Sequence, residues 1–186
     1  VTTNYNIGLA GSLVMNNGLL NIRALDTVRI LNGTAIQGAP FSSSKYIVSL
    51  RTGNDVGVLR VDGMNGVTNL PVGTATNFLP VTLTPPSAAD FAVSVFEGVT
   101  LDGTTGGTPF TSDQKLSVVD AVWTIDRVNG TGSTNVELNW VNGLEGSAFA
   151  TYPDVLIGVA RHDGTTWENG GGSGNNTTNM ASNFYD

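Results

Sequence analysis

The stretch that most constrains this chain is 118–146, VVDAVWTIDRVNGTGSTNVELNWVNGLEG, where apolar residues recur at every second position. Val119, Ala121, Trp123 and Ile125 alternate with Asp120, Thr124 and Asp126, the period of a strand with one dry face. Val136, Leu138 and Trp140 repeat the code against Asn135, Glu137 and Asn139. Between the two runs, Asn129-Gly-Thr-Gly-Ser133 supplies residues that tolerate positive φ and reverse a chain. The pattern predicts an antiparallel hairpin, 118–128 with 135–141, at the centre of a sheet with Trp123 and Trp140 facing one core. Each indole would bury on the order of 150–250 Å², so Trp123→Ala would cost about 3–5 kcal/mol.

The rest of the chain reads as strands and turns. Residues 1–38 form short extended rungs punctuated by Asn17-Gly18 and Asn32-Gly33, a β-stack or a meander. Within LLNIRALDTVRIL the alternation changes phase near Ala24, as at a bend. Residues 46–61 predict a second hairpin around Thr52–Asp55, with Leu59 and Val61 opposite Val58 and Arg60. Asp62–Gly66 is a turn-rich joint, which suggests either a stacked segment over 1–66 and a sandwich over 67–186, or a change of sheet within one domain. Pro71 and Pro80 belong at strand starts or edges, since proline donates no ladder hydrogen bond. FAVSVFE (91–97) is apolar on both faces and belongs between other elements. Residues 102–114 read as a polar loop, 154–162 and 166–168 as strands, and 168–179 as a Gly/Asn loop. No helix has a clear start or period. The fold class is all-β: a β-sandwich, Ig-like or jelly-roll-like, preceded by the stacked or meandering segment.

Composition narrows function. Only 12% of residues are charged, and net charge is −7 with eight basic side chains in no cluster. Binding of nucleic acid requires cations that neutralise phosphates, so neither it nor anionic lipid is an expected partner. No apolar run approaches the roughly 20 residues of a spanning helix, and membrane insertion is not expected. The absence of cysteine removes disulfides and thiolate chemistry.

The series Leu70-Pro-Val-Gly-Thr, Phe78-x-Pro-Val-Thr-Leu, Phe91-Ala-Val-Ser-Val, Val122-Trp-Thr-Ile and Val136-Glu-Leu-Asn-Trp, followed by Glu145, resembles the repeated modules of very large exported adhesin-like surface proteins of Bacteroidetes. The rungs before it are similar to the β-stacked segment that often precedes such modules. The resemblance implies an extracellular, cell-surface module associated with type IX secretion, with no catalytic residues attached. Such modules usually close with a further apolar strand after a Gly/Ser-rich loop, whereas this chain stops at Asn183–Asp186.

Candidate sites are few. His162-Asp163 lacks the positioned nucleophile of a triad, and a strand-end histidine is the expected reading. Glu97, Glu137, Glu145 and Glu168 could form a glycosidase pair only if the fold set two of them at the right separation; solvated strand faces are the expectation. Asp62, Asp102 and Asp163, each followed by glycine, are oxygen donors a calcium ion would accept. Asx-Gly turns account for them without a metal, and no cofactor is expected. Asn32, Asn129 and Asn176 match the N-glycan acceptor, and Asp26-Thr27-Val28 resembles the O-glycan acceptor of Bacteroidetes exported proteins. Trp167, Tyr152 and Tyr185, with Phe184, could stack on a surface glycan; core or contact packing is the commoner use of such rings. The expected function is a non-catalytic structural or adhesive module, partnered by copies or neighbouring modules of itself, with strand addition by Val1–Gly11 or Asn183–Asp186 joining them head to tail. The alternative is a carbohydrate-binding module of a secreted enzyme.

Overall fold

The computed structural model describes residues 6–31, 36–168 and 170–186. In chain order the strands are β1 (Ile7–Leu9), β2 (Leu20–Ile22), β3 (Thr27–Ile30), β4 (Ile47–Ser49), β5 (Arg51–Thr52), β6 (Asp55–Val56), β7 (Val58–Met64), β8 (Thr68–Leu70), β9 (Val72–Gly73), β10 (Val81–Thr84) and β11 (Ala89–Glu97). A one-turn helix, α1 (Ser112–Lys115), precedes β12 (Ala121–Asn129), β13 (Thr134–Asn139), β14 (Ser173–Asn175) and β15 (Met180–Tyr185).

The N-terminal rungs coil. β1, β3 and β7 stack parallel, as do β2, β4 and β9, and a parallel bridge joins Val14 to Gln37. Three successive turns of chain therefore lie on one another as a short parallel solenoid, and the meander is not formed. Parallel strands buried on both sides need continuous apolar runs, and all three residues of β4, Ile47, Val48 and Ser49, are buried. The phase change predicted near Ala24 is real: Leu25 has φ 69° and turns the chain between β2 and β3. Coils this close need glycine at the contact. A Cβ at Gly57 would stand 2.2 Å from the Ile22 carbonyl oxygen.

The solenoid leads into a sandwich. One sheet has the order β1-β3-β7-β11-β12, and the other β14-β15-β13-β10-β8. The joint at Asp62–Gly66 interrupts neither, because β7 pairs with β11 across it. On the first sheet's inner face, Ile7, Val28, Leu59, Val93 and Ile125 form one cross-strand row, and Leu9, Ile30, Val61, Phe91 and Arg127 form another. Leu70, Val81, Leu138 and Ala181 answer from the second sheet. Buried residues from coils and sandwich belong to one apolar cluster. β11 is central, as its two-sided apolarity predicts, and Pro71 and Pro80 stand immediately before β9 and β10.

The predicted central hairpin does not form. β12 pairs with β11, and β13 with β10 and β15, so the turn at 130–133 carries the chain from one sheet to the other. Both runs still face the same core: Trp140 is buried in it and Trp123 packs half-buried against it. A strand's period reports which face is dry and is blind to the sheet it joins. The second hairpin shrinks to β5 and β6, while the flanking β4 and β7 pair elsewhere.

The C-terminal third differs further from expectation. Residues 154–162 hold a 3-10 turn at Asp154–Leu156 and then extended chain bridged only singly, Val159 to Gly171 and His162 to Trp167. The Gly/Asn stretch contributes β14. MASNFY forms β15, between β14 and β13, so the apolar strand expected to be missing is present and Asn183–Tyr185 are paired within their own sheet. Among the described residues one α-helical turn also forms. Thr111 and Gln114 close a capping box over α1, a Thr-x-x-Gln signature legible in the sequence.

Candidate functional site

The calcium candidates lie in local structures that use their oxygens. Asp62 is buried on the first sheet's outer face, 2.5 Å from Arg29 and 2.7 Å from Arg60, and Arg60 also reaches Asp90 at 3.6 Å. Burial raises the Asp62 pKa, but hydrogen bonds and charge from the two guanidinium groups outweigh it and hold the carboxyl below its ordinary range. Asp102 accepts from the Thr104 amide and hydroxyl, both at 3.1 Å. Asp163 accepts from the amides of Thr165 and Thr166 at 2.7 and 2.8 Å. Both are Asx turns, and the amide donors pull both pKa values down. Among the described residues, no three His, Cys, Asp or Glu side chains gather as a metal centre.

The four glutamates serve separate structures. Glu97 accepts hydrogen bonds from Thr74, Thr76 and Asn77, while Glu145 accepts from the Trp140 indole at 2.8 Å. Glu137 lies on β13, and Glu168 is exposed beyond Trp167. Asn129 ends β12, Thr27 opens β3, and Asn176 follows β14; Asn32 lies outside the described residues.

The aromatic candidates are anchored. Trp167 donates to the Thr100 carbonyl at 2.8 Å and stands edge-on to Phe110 and His162, in a satellite cluster with Phe96, Val99 and Val122. Tyr152 packs on Phe149 and meets the Ser117 hydroxyl at 3.0 Å. Tyr185 donates to the Val159 carbonyl at 2.6 Å under Arg161. All three rings are half-buried, whereas Phe184 is 66% exposed.

The structure brings several of these residues to one place the alternation alone did not reveal. A cleft of about 760 Å³ is lined by every residue of 121–127 and every residue of 158–162, with Val136, Leu138, Trp140 and Ala181 of the second sheet beneath. A cavity under one face of a strand would touch alternate residues. This one touches consecutive residues of β12, so it runs along that strand's edge, and among the described residues β12 pairs with β11 alone. Its volume lies in the range of binding pockets.

Two buried nitrogens line the cleft without a partner among the described residues, Arg127 Nε and His162 Nε2. Arg127 ends an otherwise apolar row, stacked over Phe91 with Nη2 bonded to Thr134 at 3.0 Å and to the Tyr185 carbonyl at 3.3 Å. Its position was legible: 127 has the same parity as Trp123 and Ile125. His162 Nδ1 accepts from the Gly164 amide at 3.2 Å. The cleft thus combines an unpaired backbone edge, an apolar floor and two spare polar nitrogens, a set suited to holding an extended chain. Comparison with protein-family models, curated proteins and solved structures gave no match.

Proposed function

We propose that this chain is a non-catalytic structural or adhesive module of an exported surface protein or filament, associating with copies or neighbouring modules of itself. The observation that carries the reading is the outer side of the first coil, which no strand among the described residues covers. β1 pairs only with β3 and β2 only with β4 among the described residues, and Ile7 and Val14 are 39% and 52% exposed. Each solenoid turn buries its apolar face against a neighbour, and an outermost turn needs a cap or a further module. The weakly charged Asn/Thr/Gly surface and the resemblance to adhesin-like surface modules support the same assignment, including its extracellular location.

The carbohydrate-binding alternative requires an exposed aromatic strip. Trp167, Tyr152 and Tyr185 are half-buried with their polar atoms engaged, which supports the structural reading over it. Sedimentation of the full chain over a concentration series tests the proposal. The expected result is association that Val14→Asp abolishes without loss of fold. Saturable binding to a glycan panel, lost in Trp167→Ala or Tyr185→Ala, would overturn it in favour of the alternative.

A further inference from the structure

We infer that Asn17 is a site of self-catalysed covalent modification. In the folded chain the Gly18 nitrogen attacks its side-chain amide and converts it to an aspartyl or isoaspartyl residue, faster than at any other Asn-Gly pair among the described residues. The inference goes beyond the structural-module reading and does not depend on it.

The sequence alone nominates several positions. Six Asn-Gly pairs occur in the chain, and those at Asn17, Asn65, Asn129 and Asn142 lie within the described residues. Glycine suits the reaction in all four, because no Cβ shields the nitrogen that follows the asparagine. What separates them is geometry.

At Asn17 the reacting groups already meet. The Gly18 N–H donates to Asn17 Oδ1 at 2.8 Å, which sets the nitrogen beside the Cγ that carries that oxygen. The two residues form a bend between the Val14 bridge and β2, outside any ladder, and Asn17 is exposed. A Cβ built on Gly18 would meet nothing within 4 Å, so there is room for a ring to close and for water to open it. Holding two groups close to the attacking geometry lowers the barrier to their reaction.

The other pairs are held differently. Asn129 ends β12 opposite Asp90, and a Cβ at Gly130 would stand 2.6 Å from that of Ala89, so ring closure there requires leaving the ladder. Asn142 opens a 3-10 turn, where its carbonyl accepts the Glu145 amide at 3.1 Å and its Oδ1 accepts from Asn179 Nδ2. Asn65 is exposed after β7, but no hydrogen bond among the described residues aims its side chain at the Gly66 nitrogen.

The chemistry needs only water. The Gly18 nitrogen bonds to Asn17 Cγ and gives up its proton to solvent, the Cγ–Nδ2 bond breaks, and Nδ2 leaves with a solvent proton as ammonia, giving a cyclic imide. Water then opens either imide carbonyl, to aspartate or to isoaspartate. Both products add a negative charge to a chain of net charge −7. The isoaspartyl form also routes the main chain through the former side chain, adding a carbon just before the Leu20 amide that bonds the Tyr46 carbonyl at 3.1 Å.

The test is peptide mapping by mass spectrometry of the full chain incubated at mildly alkaline pH, folded and, in parallel, unfolded in urea. In the folded chain, aspartate and isoaspartate are expected at 17 about tenfold faster than at 65, 129 or 142. In urea no pair is positioned by the fold, and the four rates should converge. Gly18→Ala, which places a methyl group beside the attacking nitrogen, should slow conversion at 17 about tenfold while the other three positions keep their rates, a sign that the fold is intact. Equal or faster conversion at 65, 129 or 142 in the folded chain overturns the inference. So does a preference for 17 that persists undiminished in urea, since sequence alone would then set it, or an unchanged rate at 17 in Gly18→Ala, which would mean direct hydrolysis by water.

Discussion

Glu97 shows how a single carboxylate can couple a loop to the core in this weakly charged chain. Burial raises its pKa, but the hydrogen bonds from Thr74, Asn77 and Thr76 prevail and leave it below the ordinary glutamate value. The same loop receives Tyr46, whose buried hydroxyl donates to the Thr74 carbonyl at 2.8 Å. A carboxylate with a depressed folded pKa binds its proton more readily when unfolded, so its stabilisation is present above the unfolded pKa and lost as pH falls through the folded one. Asp62, lowered by Arg29 and Arg60, has the same sign. Glu97→Gln is therefore expected to cost on the order of 1 kcal/mol at pH 7, with the difference from wild type shrinking once both states are protonated. Urea midpoints measured from pH 7 down to pH 3 check this, and a difference that grows on acidification would contradict the assigned direction.

At the scale of elements, β12 and β13 carry nearly the same sequence code and occupy different environments. β13 is central, between β10 and β15, and the Trp140 that follows it is buried and edge-on to Phe149 at 5.7 Å. β12 is an edge strand, and Trp123 is half-buried with its indole N–H on the Leu79 carbonyl at 2.9 Å. Trp140→Ala is expected to cost about 3–5 kcal/mol, because its surroundings cannot collapse around the cavity. Trp123→Ala should cost roughly half as much, since the side chain is removed from a site already open to the cleft. Guanidinium unfolding of the two variants compares them. Equal losses would contradict the difference in burial between the two indoles.

Across the whole molecule, the first sheet runs from the first coil to β12 and the apolar cluster spans coils and sandwich. A domain carries its own core, and these two parts share one. Unfolding is expected as a single transition. All three tryptophans lie at or beyond 123 and report on the sandwich side, whereas the amides of β2 and β4 report on the coils by hydrogen exchange. Coincident midpoints in urea from the two probes are the expected outcome; coils that open several tenths of a molar earlier would mark residues 1–66 as a separate unit.

Local spacing determined that the chain is all-β, that 91–97 lies inside a sheet, that the chain bends near Ala24 and that the two tryptophan-bearing runs turn their odd or even faces to one core. Those properties depend on neighbours one to four residues away, which a period of two, a proline or an Asn-Gly pair records directly. Which strands become partners was decided only in three dimensions. A turn at 130–133 is compatible with a hairpin or with a passage between sheets, and the choice fell to distant competitors, β11 for β12 and β10 with β15 for β13. The cleft has the same origin. An unpaired edge is defined by a strand that is not beside it, and no residue of β12 can encode that alone.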